Sequence, residues 1–374
     1  MHDEIKGRGR PRPLSTKPEG ETPKRPSVQP PKRRRACNIE DERKIMMAQG
    51  WMTHLIIVPR FLGFVRFCGL GLLIIGANSA AMASQNPLSV VASIKPIHSL
   101  VAAVMGDIGT PQLLLEAPSS AHHFTLKPSQ ARSLQSADIV FWVGPTMEQP
   151  LTKALAALAP HAQTTPLIDA SGLVLIEFDN SAPAHKKPIH DKHDDHGDHA
   201  RHAINPHLWL DPQNAQVILR VISLRLGKAD PDNADIYAAN ADKMALRLQG
   251  VQADIATQLA PYAAARFLVL HDAHIYFERR FGLDNHGAIT SEPDIMPTAS
   301  RIKALRAALG THQIDCIFAE PFLGQKAVDL IAEGSKVRIG TLDPVASNLP
   351  AGIELYPTLL TSYATAMESC FRGN

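Results

Sequence analysis

Three histidines sit where a chain can present an imidazole without burying it in a helix face: His122 in the loop Ala-Pro-Ser-Ser-Ala-His-His-Phe, His207 in Asn-Pro-His-Leu-Trp-Leu-Asp-Pro, and His271 at the end of Phe-Leu-Val-Leu. Neutral imidazole nitrogen suits a borderline divalent cation, Zn²⁺ above all, at about 2.0–2.1 Å with a fourth position left for water or a carboxylate. Each histidine alone reads more readily as a hydrogen-bonded loop residue than as a ligand; His98 and His274, in helical patterns, are expected to pack or face solvent. Only the joint pattern carries the chemistry.

A second concentration of histidine has a different character. His185, His190, His193, His196, His199 and His202, with Asp191, Asp194, Asp195 and Asp198, crowd a stretch with little that could enter a core. It reads as a solvated polar loop. Such density makes weak, exchangeable metal binding the expected behaviour, with His190, His193, His196 and His199 as secondary ligands, weakening as pH falls through the ordinary histidine range near 6.5.

The elements that must position these residues follow from periodicity. Beta-rich and apolar-helical stretches alternate from Leu88 onward: a strand over 88–94, a helix from Pro96 to Met105, a short strand at 113–115, a helix from a Ser129 cap to 136, strands at 139–143 and 166–168 and a helix at 147–159 between them. After the histidine-rich stretch come a helix at 213–227 and a pattern of roughly thirty residues from Asp230 to Leu259, about 45 Å of helix at ~1.5 Å per residue. That length suits a rigid strut between two blocks; the alternative is a packed helix of one block. A second run then repeats the plan: strands at 267–270, 287–290, 316–319 and 337–341, helices at 273–281, 298–309, 325–333 and 356–369. Alternation of this kind implies α/β architecture with mainly parallel sheets. Open sheets of that type bind ligands beyond the carboxyl ends of their strands.

Charge and hydropathy divide the chain. The net charge of +2 conceals a first 44 residues with 13 Lys/Arg against 7 Asp/Glu, whereas residues 84–374 carry 23 basic and 29 acidic residues, so nucleic-acid binding is not expected. Arg60 and Arg66 precede an apolar run, Phe67–Ala77, and then Ala81-Met82-Ala83. This is the pattern of an export signal with cleavage before Ser84. The expected organisation is a basic leader or misassigned start at 1–50, a signal peptide at 51–83, an N-terminal α/β lobe at 84–229 that includes the histidine-rich loop 180–205, a linker helix at 230–260 and a C-terminal α/β lobe at 261–374. Of four cysteines, Cys37 and Cys68 fall in the leader; Cys316 and Cys370 remain, as one disulfide or two buried thiols.

From about Leu88 to Cys370 the chain resembles the periplasmic zinc-binding (solute-binding) proteins of high-affinity zinc ABC transporters, the ZnuA type of the metal-binding cluster A-I family. The matching stretches are Ser-Ile-Lys-Pro-Ile-His-Ser-Leu (93–100), His-His-Phe-Thr-Leu-Lys-Pro-Ser (122–129), Ala-Asp-Ile-Val-Phe-Trp-Val-Gly (137–144), His-Leu-Trp-Leu-Asp-Pro (207–212), His-Asp-Ala-His-Ile-Tyr-Phe-Glu (271–278), Phe-Ala-Glu-Pro (318–321) and Thr-Leu-Asp-Pro (341–344). The resemblance implies two Rossmann-like lobes joined by a long rigid α-helix, with the metal in the interlobe cleft and His122, His207 and His271 as ligands. Manganese-binding relatives carry a carboxylate at the third of these positions, so His271 argues for Zn²⁺. His123 stands where an Asp is common and offers an alternative register; Ala121 stands where some relatives place a Glu, which leaves water, or Asp343, as the fourth ligand. Ring-orienting partners are expected among Asp211, Asp272, Glu292 and Glu320. The resemblance also implies a Cys316–Cys370 disulfide, worth ~4 kcal/mol in a chain-entropy treatment. The expected role is that of a monomeric, non-enzymatic periplasmic receptor that hands Zn²⁺ to a membrane permease with a separate ATPase, with a periplasmic zinc chaperone as a further partner. The rivals are a zinc buffer and a three-histidine zinc hydrolase or lyase; no HExxH or Gly-x-Ser-x-Gly supports the enzyme.

Overall fold

A computed structural model describes residues 88–116, 121–178, 204–290, 295–311, 314–321 and 323–373. The leader, the export signal, Glu292 and the histidine-rich loop with His190, His193, His196 and His199 lie outside the described residues.

The first half builds one four-stranded sheet. Its strands are β1 (Val90–Ala92), β2 (Gln112–Leu113), β3 (Ile139–Trp142) and β4 (Gln163–Pro166), in the order β2-β1-β3-β4 and all parallel. Helices α1 (Lys95–Met105), α2 (Pro128–Gln135) and α3 (Gln149–Leu158) connect them, and α4 (Pro212–Ala229) follows the histidine-rich segment. The second half repeats the order with β5 (Arg266–Val269), β6 (Asp284–Ala288), β7 (Cys316–Ala319) and β8 (Arg338–Thr341) as β6-β5-β7-β8, again all parallel. Its helices are α6 (Ile275–Phe281), α7 (Ala299–Thr311), α8 (Gln325–Ala332) and α9 (Leu355–Arg372). In both sheets the chain reverses its direction of travel between the first and third strands, and the switch points are therefore β1/β3 and β5/β7.

The expected elements are present, but some limits move. The strand expected at 166–168 is β4 at 163–166, followed by a 3₁₀ turn over Leu167–Asp169, and the strand expected at 287–290 is β6 at 284–288. Both are edge strands whose leading residues face solvent, so apolar content does not mark them. Helix α2 begins two residues early. Lys127, not Ser129, occupies its N-cap, Pro128 is its first residue, and Gln130 Oε1 accepts from the Lys127 N–H at 2.7 Å. The long pattern after Asp230 opens with a 3₁₀ turn before α5 (Ala234–Leu259). Helix α5 lies along α1 and α4 of the first half and also along α9 of the second.

The alternation of side chains on the second sheet shows how the halves join. Phe267 and Val269 of β5 and Cys316 and Phe318 of β7 share one apolar core with β1, β3, α1, α4, α5 and α9. Their neighbours Leu268, Ile317 and Ala319 point to the opposite face, where they pack with Leu305, Ala327, Val328 and Ile331 of α7 and α8. A period of two thus sends one face of the sheet to a local core and the other to a core continuous through both halves. Polar contacts reinforce the junction. Lys95 Nζ donates to the carbonyls of Ser347 and Leu349, Ser99 Oγ to that of Ile353, and Trp209 Nε1 to that of Pro344. Arg280 of α6 forks onto Asp211, the N-cap of α4, at 2.7 and 2.6 Å. Cys316 and Cys370 form a disulfide, with Cα atoms 6.2 Å apart, that ties α9 to β7.

Candidate metal centre

The carboxyl ends of the strands deliver the site. His271 follows β5 after Leu270, whose N–H bonds to the Phe318 carbonyl, and Glu320 follows β7. The register that pairs Val269 with Phe318 therefore brings His271 and Glu320 side by side at the switch point of the second sheet. From the first half, the segment after β2 supplies His122 and the turn before α4 supplies His207, at the start of a 3₁₀ turn over Leu208–Leu210. The indole of Trp209 backs the His207 ring, with centroids 5.3 Å apart, and is held in turn by the Pro344 carbonyl.

These three histidines meet. His207 Nε2 lies 3.3 Å from His122 Nε2 and 3.4 Å from His271 Nε2, and one nitrogen from each ring falls within 4.8 Å of the others. Two nitrogens bound to one metal at ~2.05 Å and a tetrahedral angle stand about 3.3 Å apart. Both Nε2–Nε2 spacings match that figure. His207 and His271 are buried and His122 is half-buried, so one side of the cluster opens outward for a fourth ligand. His123 is exposed and not part of the cluster.

Hydrogen bonds fix which nitrogen each buried ring presents. His207 Nδ1 lies 2.9 Å from Asn205 Oδ1, which also accepts the His207 backbone N–H at 3.1 Å. The other arm of that amide, Nδ2, donates to the Asp272 carbonyl at 2.5 Å. Only one orientation of the amide satisfies all three contacts, so His207 carries its proton on Nδ1 and leaves the Nε2 lone pair for a ligand role. His271 does the same through Glu320, whose Oε1 accepts from Nδ1. Burial pushes the Glu320 carboxyl up, but its interactions with His271, and secondarily with His274, outweigh it and hold the group well below the usual carboxylate range. Burial, with the neighbouring rings of His271 and His122 adding to it, drives His207 well below the usual histidine range, so that ring is neutral near pH 7.

The remaining expectations resolve individually. His274 packs, buried, at the N-cap of α6, with Nδ1 3.0 Å from the Tyr363 hydroxyl and Nε2 3.8 Å from Glu320. His98 packs within α1 and reaches the Pro111 carbonyl at 3.0 Å. Of the carboxylates named above, Glu320 orients a ring, Asp211 caps α4 and pairs with Arg280, and the backbone carbonyl of Asp272 meets Asn205. Asp343 spends its carboxylate on the following turn, accepting from Val345 N–H, Ser347 N–H and Ser347 Oγ, and lies outside the cluster. Asn205 is the residue that sequence reading overlooked. Its position two residues before His207 was the available signal, because an amide at that spacing can reach back to the ring.

Fold and site together define a two-lobed α/β binding protein with a histidine cluster between its sheets. The sequence profile of the family described as zinc-uptake complex component A, periplasmic (ZnuA) matches residues 90–370, and the chain belongs to that family. It is 37% identical over 303 residues to the high-affinity zinc uptake system protein ZnuA of Brucella abortus (strain 2308), covering 75% of this chain and 91% of that one. To the protein of the same name from Yersinia pestis it is 33% identical over 309 residues, covering 79% and 96%. Among solved structures, a zinc-bound ZnuA deletion mutant superposes with a TM-score of 0.63 at 22% identity, covering 76% of this chain and 98% of that one. The solute-binding protein FpvC from Pseudomonas aeruginosa in complex with Mn²⁺ does so with 0.64 at 21%, with the same coverage. These two similarities bear on the fold.

Proposed function

We propose that this protein captures Zn²⁺ outside the cytoplasmic membrane and delivers it to the permease of an ABC transporter, with His122, His207 and His271 as ligands and water in the fourth position. The observation that carries this reading is the pair of Nε2–Nε2 separations, 3.3 and 3.4 Å, at tetrahedral spacing. Support for transport comes from membership of the zinc-uptake family and from relatives named for high-affinity zinc uptake. Zn²⁺ is cargo here; three imidazoles with an open fourth position would also suit a catalytic zinc, and the reading as a receptor is supported by family membership. In this reading, residues 51–83 export the chain to the periplasm, 84–229 and 261–374 form the lobes, and 230–260 links them. The histidine-rich loop, through His190, His193, His196 and His199, collects metal weakly, and a periplasmic zinc chaperone is a candidate donor. The protein acts as a monomer, without nucleic acid, and a separate ATPase powers the permease.

Calorimetric titration tests this. Wild type should bind one zinc tightly and further ions weakly; deletion of 185–202 should remove only the weak sites, and His207→Ala only the tight one. Loss of the tight site in the loop deletion would sink the ligand assignment. Growth of a gene-deletion strain in zinc-poor medium separates uptake from buffering: an absence of any growth defect would count against uptake.

A further inference from the structure

Asn205 touches both halves of the molecule at the metal centre. It is buried, and every polar group on it has a partner. Its N–H donates to the Ile176 carbonyl at 2.8 Å, and its own carbonyl accepts from the Tyr276 hydroxyl of α6 at 2.7 Å. On the side chain, Oδ1 takes both the backbone N–H and the Nδ1–H of His207, and Nδ2 donates to the carbonyl of Asp272, the residue after His271. One planar amide thus has one edge on the His207 ring and the other on the backbone that carries His271.

We infer that Asn205 is the positioning residue of this centre: its amide selects the His207 tautomer and, by anchoring the chain beside His271, sets the spacing between two ligands that come from different halves of the chain. Two separate requirements converge on an amide. A hydrogen-bond acceptor is needed at His207 Nδ1, because a neutral imidazole free in water prefers the opposite tautomer, with the proton on Nε2 and no lone pair there for a metal. A donor is needed at the Asp272 carbonyl, because an unpaired buried carbonyl is costly. Aspartate meets the first requirement and fails the second; lysine or serine does not span both contacts. Outer partners of this kind typically govern metal affinity by about 10- to 100-fold. The inference rests on the three-histidine reading above, and the experiment separates the two.

Zinc affinity is measured by competition with a chromogenic chelator for wild type, Asn205→Ala, Asn205→Asp, Tyr276→Phe and His207→Ala, with the Co²⁺ visible spectrum recorded for each. Asn205→Ala is expected to weaken zinc binding by about 10- to 100-fold and to change the Co²⁺ bands. Asn205→Asp, which keeps the acceptor, is expected to lose less. Tyr276→Phe breaks the bond from α6 to the Asn205 backbone without touching the ring; it should lower the melting temperature, leave the Co²⁺ bands in place and keep affinity within about threefold of wild type, a loss short of the range outer partners govern. In the metal-free wild type, long-range ¹H–¹⁵N correlation should show His207 protonated on Nδ1 near neutral pH, a readout independent of whether any variant folds. The inference is overturned if wild-type His207 holds its proton on Nε2, or if Asn205→Ala matches wild type in affinity and spectrum while His207→Ala loses the site. If His207→Ala itself leaves tight binding unchanged, the three-histidine reading fails first.

Discussion

The Nε2 atoms of His207 and His271 face each other at 3.4 Å across the junction of two sheets, each with its Nδ1 proton committed to a partner on the far side of the ring. Lone pairs so placed repel until a cation or a proton sits between them. A zinc ion should therefore raise stability by mass action, by ~2.7 kcal/mol when free zinc is a hundred times Kd. In thermal melts, His271→Ala should abolish the zinc-dependent rise in Tm. A rise equal to that of wild type would place the tight site elsewhere.

Glu320→Gln tests the charge behind His271 while keeping the shape. A neutral amide accepts more weakly from Nδ1 and makes the imidazole a poorer donor to the metal. Zinc affinity, read by chelator competition, is expected to fall by about 10- to 100-fold. An unchanged affinity would mean that the Glu320 carboxylate serves packing only.

How far the sequence could be read depended on where each residue lies in its sheet. The central strands β1, β3, β5 and β7 are buried, apart from Arg266 at the start of β5, and were legible as apolar runs; β7 was placed to the residue. The edge strands β4 and β6 were displaced because one side of each meets water, and their limits are set by the neighbouring strand. Within the site, His122, His207 and His271 stood out only jointly, because the family motifs mark them. Asn205 did not: its local contact with His207 was open to a reading of the spacing, but its second contact exists only once β5 has brought Asp272 alongside. His274, expected to pack or to face solvent, packs, and the choice is made by Tyr363, 89 residues further on, which closes over it.

Glu278 provides a pH test away from the metal. It is buried on α6, where burial, only partly offset by a hydrogen bond from Asn285, pushes its carboxyl up to about 8. Between the ordinary carboxylate value of 4.5 and about 8, the folded chain keeps a proton that the unfolded chain has released. The contribution of this group to stability therefore falls as pH rises through that window. Glu278→Gln removes the dependence. In urea unfolding of metal-free protein, the variant should gain on wild type from pH 5 to pH 8 and hold a constant lead above it; a difference independent of pH would refute the assignment.

The disulfide closes a loop with a sequence separation of 54, anchored by two buried cysteines. Replacing both Cys316 and Cys370 by Ser should cost about 2–5 kcal/mol of unfolding free energy, read from denaturant midpoints under oxidising conditions. An unshifted midpoint would show that the core under α9 holds without the crosslink.

The core that passes from the first sheet through α5 to the inner face of the second sheet has a consequence for how the molecule comes apart. Neither half owns a complete interior: cut at the junction, each would show water a wide apolar surface that its own helices do not cover. Melting should accordingly produce one calorimetric peak rather than two. A chain divided between two lobes would in this respect behave as a single cooperative body.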